Sequence, residues 1–361
     1  QAMYSGPVIL TDGTYDGAFV GTARTTGASE LQLTRDGNDF RWALFASNPT
    51  DTPDAPVIYA PETPAYTQMP SVNLELGYTM LGTFHERMGE QKYILSEGSK
   101  QSEGQVWGRV LGKHLELDGK TRLHSETDIY GLQIGMDVFA KPSTNDDRYT
   151  HLGVYGSYAS ASTKFYDAFR TVNGVVVKDT HMGDGKTERF ALGTYYTQLF
   201  EGGSYIDAVG EVAYLRNKYN ARNHTKVSQN GYGALLSVEA GKSFKLADSA
   251  WYLEPQAQVI YQHLTLDSFH DDLKAVKQPD INGLRGRAGV RIAHKTKSAD
   301  RVESLESVYL IANLWHDFTK TPAVRIGQDK VRDRYNDTWG ELGVGMKIQT
   351  SENTYLYGDA R

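Results

Sequence analysis

Residues 251–262, WYLEPQAQVIYQ, alternate apolar and polar side chains along most of their length. Successive side chains of a β-strand point to opposite faces, so this run predicts a strand with one apolar face and one polar face. The apolar parity carries Trp251, Leu253, Ala257, Val259 and Tyr261, and the other carries Glu254, Gln256, Gln258 and Gln262. A soluble β-sandwich would show the same alternation. Many such segments, joined by connections that are alternately short and long, favour a membrane-spanning β-barrel with an apolar outside and a polar lumen.

Eleven segments of the chain are predicted to be strands. They lie near residues 105–117, 127–141, 148–163, 187–200, 204–218, 231–245, 250–266, 282–296, 306–318, 337–350 and 353–361. In several of them, charged residues of both signs share the parity opposite the apolar one; these include Asp207, Glu211, Glu239, Glu254, Arg285, Arg287, Arg291 and Glu341. A charge that faces lipid at the bilayer midplane costs about 2–4 kcal/mol, so the charged parity is predicted to face the lumen.

The connections between these segments also fit an outer-membrane barrel, which has tight turns at one end and long loops at the other. The short connections are 141–147, 201–204, 246–249 and 351–353, and the long ones are 164–186, 219–230, 267–281 and 319–336. The connection near 297–305 is longer than its class should be. Single-chain bacterial barrels have an even number of strands, so we expect a final strand to be missing after Arg361. No signal peptide precedes Gln1, so an exported protein would be a mature fragment here.

Composition excludes several classes of protein. The 361 residues contain no run of about eighteen apolar residues, which excludes a helical membrane protein. The absence of cysteine removes disulfides, thiolate zinc sites and cysteine nucleophiles. A net charge of −6 argues against nucleic-acid binding. The motifs support no metal site, since His114 and His124 lack a third ligand and Asp271-Asp272 lacks the spacing of a calcium loop. We therefore expect no cofactor.

The first 103 residues differ from the rest of the chain. Short β-like pieces at 14–22, 30–33 and 40–47 are separated by Asp-Gly turn signals, as at the end of a β-solenoid. Six prolines between Pro49 and Pro70 predict an extended linker. Apolar residues at helical spacing within 71–92 then predict a helix of roughly 20 residues, about 30 Å long. Its charges could pair with lumen residues, and the alternative is a solvated helix on the periplasmic side.

Taken together, these parts resemble the C-terminal region of type V autotransporters. The resemblance covers nearly the whole chain. It is carried by Tyr59-Ala60-Pro61-Glu62, by His85-Glu86-Arg87-Met88-Gly89-Glu90-Gln91, by Val106-Trp107-Gly108-Arg109, by Trp251 to Gln258 and by Leu284 to Arg291. The Leu-Glu-Pro-Gln phrase within residues 251–258 is the more specific of these. The implied organisation has the autochaperone-like end of a passenger at 1–60, a Pro-rich linker and pore helix at 61–103, and a translocator barrel at 104–361.

The resemblance implies a twelve-stranded barrel in the Gram-negative outer membrane that exports its own N-terminal passenger to the cell surface. The implied partners are the barrel assembly machinery and periplasmic chaperones, outer-membrane lipid and lipopolysaccharide, and the passenger. The chain departs from the family in two respects. The terminal aromatic residue that serves as an assembly signal is missing at Arg361, and the pore helix lacks the Asn-Asn pair at which some members cleave themselves, because Leu74 follows Asn73.

The proposed working residues belong to the lumen and the helix, and we expect no catalytic residue among them. They are Arg87, Glu90, Arg109, Glu254, Arg285, Arg287 and Arg291, with the role of holding the helix by charge pairing. Two alternatives remain open from the sequence. The first is an outer-membrane enzyme with its site in the lumen or the loops, built from Asp207, Glu211, Glu239 and His316. The second is a passive porin with an open lumen.

Overall fold

The computed structural model describes residues 4–11, 17–47, 56–88, 106–142, 148–297, 305–351 and 354–361. Its helices are α1 (Thr63–Leu81) and α2 (Phe84–Met88). Its strands, in chain order, are β1 (Tyr4–Ile9), β2 (Thr22–Arg24), β3 (Glu30–Asp36), β4 (Asp39–Ala43), β5 (Val106–Asp118), β6 (Leu123–Pro142), β7 (Arg148–Asp167), β8 (Thr171–Val172), β9 (Val175–Val176), β10 (His181–Phe200), β11 (Ser204–Ala221), β12 (Lys226–Lys242), β13 (Phe244–Lys245), β14 (Trp251–Leu266), β15 (Phe269–His270), β16 (Ala275–Lys277), β17 (Ile281–Lys297), β18 (Leu305–Asp317), β19 (Val324–Ile326), β20 (Asp329–Val331), β21 (Thr338–Ser351) and β22 (Thr354–Ala360). Within the described ranges, neither helix is long and apolar enough to cross a membrane.

Eleven strands form one antiparallel sheet that follows the chain as a meander. Their order is β5, β6, β7, β10, β11, β12, β14, β17, β18, β21 and β22, and the short β13 pairs with β14. These are the eleven strands predicted from the sequence, several of them longer by a few residues. The sheet curves around α1, which contacts β6, β7, β10 and β14. The architecture is that of an up-and-down barrel wall with a helix in its lumen.

The two faces of this sheet are those predicted from the alternation of polar and apolar residues. On the convex face, Leu192 is 70%, Leu236 61% and Leu342 79% exposed. An apolar surface of this extent is not stable in water and indicates a lipid environment. On the concave face, the charged residues are buried, among them Asp207, Glu211, Glu239, Glu254, Arg285, Arg287 and Arg291. The predicted lumen parity is therefore confirmed.

Aromatic rings on the concave face lie flat over glycines of the neighbouring strand. A Cβ on Gly135 would lie 2.3 Å from Cζ2 of Trp107, its cross-strand partner in β5. We expect Gly135→Leu to lower the stability of the barrel by about 1–3 kcal/mol, because the Trp107 ring has no free space to enter. The measurement is the temperature at which the folded band is lost in a heat-modifiability gel. The matched control is Gly156→Leu on β7, where a Cβ faces outward with no atom closer than 3.8 Å; equal losses would contradict the prediction.

The helix begins earlier than the sequence indicated. The predicted helix lay within 71–92 after a linker ending at Pro70, whereas α1 starts at Thr63 and contains Pro70. Pro64 occupies the first turn, where a missing N–H costs nothing. Sixteen of its 19 residues are buried, so packing in the lumen outweighs the interior proline. The helix stops at Gly82, whose φ of +65° ends the α conformation, and α2 follows.

The N-terminal strands form a separate four-stranded sheet in the order β1-β4-β3-β2. All its pairs are antiparallel, with β3 and β4 joined at Gly37-Asn38. The expected solenoid end therefore differs in pairing from the stacked parallel rungs of a β-solenoid. Of the predicted pieces, 30–33 lies within β3, and the first part of 40–47 lies in β4. The piece at 14–22 overlaps β2 only at Thr22, and its residues 14–16 lie outside the described residues.

The long connections contain further strands, and two of them, 164–186 and 219–230, are shorter than predicted. Strands β15, β16, β19 and β20, from two different connections, form a small sheet, and β8 pairs with β9 in a third connection. The connection expected at 219–230 spans only 222–225, because β11 and β12 stay paired as far as Asn220 and Lys226. The ends of β11 and β12 extend beyond the apolar band. Their side chains are polar on both faces of the sheet, so no alternation marked these ends as strand in the sequence.

The N-terminal sheet contacts these connections at the loop end of the barrel. Ser47 forms a parallel bridge with Val175 of β9, and the Ser47 amide donates to the Gly174 carbonyl at 2.7 Å. The Ala28 amide donates to Asp329 Oδ2 at 2.8 Å. Arg24 Nη2 donates to Asp272 Oδ1 at 2.8 Å. The sheet therefore rests on three separate connections.

Candidate functional site: the helix-filled lumen

The chain passes once through the lumen, from the loop end to the turn end. At the loop end, the Thr63 hydroxyl donates to the Ala28 carbonyl and the Tyr66 hydroxyl donates to Asp271 Oδ2, both at 2.7 Å. At the turn end, the Phe84 amide donates to Glu239 Oε1 at 2.9 Å. Nineteen residues at 1.5 Å each give α1 a length of about 28 Å, close to the thickness of a bilayer core.

A polar cluster fixes the middle of α1 against β11. The side-chain amides of Asn73 and Asn217 donate to each other's carbonyl oxygens, at 3.0 Å and 2.7 Å. The Thr187 hydroxyl also donates to Asn217 Oδ1, at 2.7 Å. Both asparagines are buried, so each amide group depends on these partners for hydrogen bonding. The pair sets the depth and the rotation of the helix.

Arg285 of β17 forms an ionic contact with Glu75, the one charged residue of α1. Its guanidinium donates to both carboxylate oxygens of Glu75, with Nη1 at 3.0 Å from Oε2. It also donates from Nε to Asp317 Oδ1 at 2.6 Å. The ring of Tyr78, one helical turn from Glu75, lies 3.9 Å from the guanidinium carbon. This fork geometry is the favourable arrangement for a buried ion pair, because every charge also receives hydrogen bonds.

The C-terminal end of α1 is satisfied by the barrel wall. A helix leaves its last four carbonyls without intrahelical partners. Here Gln133 Nε2 donates to the Met80 carbonyl at 2.6 Å, and Gln258 Nε2 donates to the Gly82 carbonyl at 3.2 Å. Arg109 of β5 lies between them and donates to Glu86 Oε2 at 3.1 Å. The wall therefore satisfies carbonyl groups at the end of α1 that the Gly82 cap leaves free.

Polar and ionic contacts with the wall surround α2. Arg87 Nη2 donates to Asp207 Oδ1 at 2.6 Å, with both side chains almost inaccessible. His85 Nε2 lies 2.6 Å from Glu254 Oε1. Glu239, which receives the Phe84 amide, is itself paired with Arg287 at 3.1 Å. Each residue of α2 from 84 to 87 thus has a polar partner in the wall. Glu86 has two, Arg109 and Arg361, the latter at 3.0 Å.

Among the predicted site residues, four contact the helices directly. Arg87 lies on α2 itself, and Arg109, Glu254 and Arg285 contact α1 or α2 from the wall. Arg287 contacts Glu239 and Gln258, which in turn accept from or donate to the backbone at Phe84 and Gly82. Arg291 also lies in the lumen, with its guanidinium carbon 4.2 Å from the Tyr309 ring centroid. Glu90 lies outside the described residues.

The partners of these residues were not predicted from the sequence. Glu75 and His85 were not singled out, because a carboxylate or imidazole on a predicted helix carries no signal of what it faces. Asp207 and Glu239 were placed correctly on the lumen parity and interpreted as salt-bridged lining, with a catalytic site as the alternative, but their individual partners were not predicted. Choosing their partners requires the depth and rotation of α1, which the alternation pattern does not contain.

The residues of the alternative enzyme site are not arranged as one. Asp207, Glu211 and Glu239 are each ion-paired with an arginine, respectively Arg87, Arg189 and Arg287. His316 faces outward on β18 and contacts the Thr338 hydroxyl at 2.6 Å. Over the part of the chain that the structure describes, no group of three or more His, Asp or Glu side chains is placed to hold a metal ion.

The sequence matches the family model described as the autotransporter beta-domain over residues 106–361, the whole barrel wall. The chain belongs to the autotransporter family. It is 26% identical to the uncharacterized protein YdeU of Escherichia coli K12, over 98% of this chain and 78% of that protein. It is also 26% identical to the adhesin BmaC autotransporter of Brucella suis, over 87% of this chain and 9% of that protein. The pertactin autotransporter of Bordetella parapertussis is 24% identical, over 78% of this chain and 28% of that protein.

Solved autotransporter structures share the fold. The transport unit of AIDA-I from Escherichia coli superposes with a TM-score of 0.66 at 17% identity, covering 83% of this chain and 92% of that one. The translocator domain of NalP from Neisseria meningitidis gives a TM-score of 0.54 at 10% identity, covering 81% and 91%. This autotransporter barrel is accordingly an outer-membrane translocator for export of a passenger, with the passenger side at the cell surface. The loop end, where the N-terminal sheet lies, is the outer end.

Proposed function

We propose that α1 and α2 are the plug and tether of this translocator, held in the lumen by charge pairing with the wall. The observation that carries the proposal is the pairing of Glu75 with Arg285 and of Arg87 with Asp207, at two depths of one buried helical segment. Losing one partner of such a pair leaves an uncompensated buried charge, at a cost of about 3–5 kcal/mol. Two pairs at different depths oppose both sliding and rotation.

The alternatives receive less support. A passive porin needs an open lumen, whereas α1 occupies this one over about 28 Å. An enzyme needs a carboxylate or nucleophile that is free to act, whereas Asp207, Glu211 and Glu239 are each neutralised by an arginine. The family's β-domain is a transport domain. We therefore propose that this chain carries no catalytic activity of its own.

The division of the chain is part of the same proposal. Residues 1–60 would be the end of the passenger, 61–103 the linker with the pore helix, and 104–361 the translocator. The N-terminal sheet, the lumen helices and the barrel wall follow this order. The starting point of α1 at Thr63 leaves little linker on the outer side, so the passenger end would be held close to the barrel mouth.

The outward face of the barrel indicates which partners the protein needs on its way to the membrane and within it. Its exposed apolar side chains would associate in an aqueous periplasm, which favours delivery by periplasmic chaperones and insertion by the barrel assembly machinery. The same band would contact outer-membrane lipid and lipopolysaccharide once inserted. The passenger is the partner that the lumen helix connects to the membrane.

A cross-link between Asn73 and Asn217 tests the position of the plug in the membrane. The chain contains no cysteine, so Asn73→Cys with Asn217→Cys introduces the sole thiol pair. The two amide groups are in hydrogen-bond contact, so a short bifunctional thiol reagent is expected to join the two residues in most copies in outer-membrane fractions. The readout is the altered mobility of the denatured chain.

The matched control places the second cysteine at Asn313, which is also buried in the lumen wall but contacts Arg287 and Glu341. Asn73→Cys with Asn313→Cys should remain unlinked under the same conditions. Similar yields for the two pairs, or no link in the first, would show that α1 does not lie where proposed.

A further inference from the structure

Four aromatic side chains form a row on the outward face, near the middle of their strands and on the loop side of the apolar band. Tyr158, Phe190, Tyr214 and Tyr232 lie on the adjacent strands β7, β10, β11 and β12, with ring centroids 5.1, 6.5 and 5.4 Å apart in that order. Aromatic belts mark the boundary between hydrocarbon and headgroups. The row therefore places the outer-leaflet headgroups at the residues just beyond it.

Five basic side chains lie beyond this aromatic row on the same four strands. The basic patch consists of Lys164 on β7, Lys186 on β10, Arg216 and Lys218 on β11, and Lys226 on β12, all exposed on the outward parity. Arg216 is two residues from Tyr214, and Lys218 is four. The four strands span about 15 Å at the usual spacing of 4.8 Å. The patch thus lies at headgroup height on one sector of the barrel.

The charges of the basic patch are only partly balanced within the protein. Lys164 has Glu126 and Asp184 as cross-strand neighbours, and Arg216 has Glu188. Lys186 and Lys218 are directly opposite each other in the β10–β11 register, an arrangement that is unfavourable in water. In the described portion of the chain, none of the five residues forms an ion pair. Three carboxylates share this surface, Glu126, Asp184 and Glu188; Asp184 is engaged by His181 at 2.9 Å, and Glu126 accepts from Tyr166 at 3.3 Å. Basic residues still outnumber them.

The neighbouring sector at the same height has the opposite character. On β5 and β6 the outward residues beyond Tyr130 are His114, Glu116, Asp118, His124, Glu126 and Asp128. Their carboxylates pair with the two histidines, as in His114 Nδ1 to Asp128 Oδ1 at 2.7 Å. The basic sector is therefore a local feature and not a general property of the outer rim.

We propose that the basic patch binds the phosphate groups of an outer-leaflet lipid headgroup. The acyl chains of that lipid would pack on the apolar band below the aromatic row, and its phosphates would supply the counter-charge that Lys186 and Lys218 lack. The width of the patch suits a headgroup that carries more than one phosphate. The inference goes beyond export, because it assigns this sector of the barrel a preferred lipid.

The test is lipid binding to the refolded full chain in detergent, measured by native mass spectrometry over a lipid titration. The probes are the bisphosphorylated lipid anchor of lipopolysaccharide and the same lipid with its phosphates removed. We expect Lys186→Gln with Lys218→Gln to raise the half-saturating concentration of the phosphorylated probe by about tenfold or more, since each surface cation contributes about 1 kcal/mol towards an anionic headgroup. The dephosphorylated probe should bind weakly to both proteins.

The matched control is Lys242→Gln with Lys245→Gln, two exposed lysines at the turn end of the same barrel. This variant should bind the phosphorylated probe as the unmodified chain does. Equal binding by the patch variant and the control, or equal binding of both probes, would overturn the proposal. If the patch variant fails the heat-modifiability check for folding, Lys164→Gln with Lys226→Gln at the strand ends replaces it, with the same expected direction.

Discussion

Reversing Arg285 to Glu is expected to displace α1 and raise the conductance of the barrel in planar bilayers. The change removes the cation between Glu75 and Asp317 and puts a third carboxylate beside them. Breaking such a buried pair costs about 3–5 kcal/mol, and the added repulsion increases that cost. The helix is held by few other ionic contacts at this depth, so we expect frequent, long-lived openings where the unmodified chain is mostly closed.

The control for this experiment is Arg189→Glu. Arg189 is also buried in the lumen and pairs with Glu211, but that contact joins two residues of the wall. The Arg189→Glu variant should lower the thermal stability of the barrel while leaving the pore closed, with a conductance as low as that of the unmodified chain. Combining Arg285→Glu with Glu75→Arg should recover part of the closed state, since the opposite charges face each other again. Equal conductance for the Arg189 and Arg285 variants would contradict charge-based docking of the helix.

Replacing Lys274 with Met is expected to loosen the outer end of the plug without opening the barrel. Lys274 Nζ lies 2.6 Å from Glu62 Oε1, and both side chains are almost completely inaccessible. Glu62 precedes the first turn of α1 and also accepts from Asn223 Nδ2 at 2.9 Å. Arg24 Nη2 would remain near the same oxygen, at 3.7 Å, so the variant leaves the buried carboxylate with a more distant cation, at a cost of up to about 3–5 kcal/mol. Local opening of the first turns should therefore become up to roughly 10²–10³ times more frequent.

Hydrogen exchange of the backbone amides of residues 63–70 measures this opening. The control is Lys277→Met, three residues further along in β16, where the side chain is exposed. Protection should fall in the Lys274 variant and stay unchanged in the control, with the amides of β11 and β14 protected in both. A uniform loss across the barrel would indicate global destabilisation instead of release of the plug.

Much of the barrel could be predicted from the sequence, because alternation is a local signal. A strand such as β14 reports its two faces through its own residues, and the membrane makes errors of register costly. The start of α1 could not be predicted in this way. Pro64 and Pro70 resemble a linker when read alone, and only the surrounding wall makes a helix through them stable.

The same limit applies to the contacts of the candidate site. The inward direction of Arg285, Arg287 and Arg291 followed from parity, but their partners did not, because Glu75 and Glu239 come from distant parts of the chain. The sheet formed by β15, β16, β19 and β20 was also missed. Its strands have two or three residues each, too few for periodicity, and they pair between connections that are far apart in sequence.

The contacts of the N-terminal sheet have a mechanical consequence. A pull on the surface-exposed segment would reach the bridge between Ser47 and Val175, the Ala28–Asp329 bond and the Arg24–Asp272 pair before it stretched α1. Tension would thus be divided among three rim connections anchored in different strands of the wall. The helix in the lumen would carry little of the force that adhesion or flow exerts on the cell exterior.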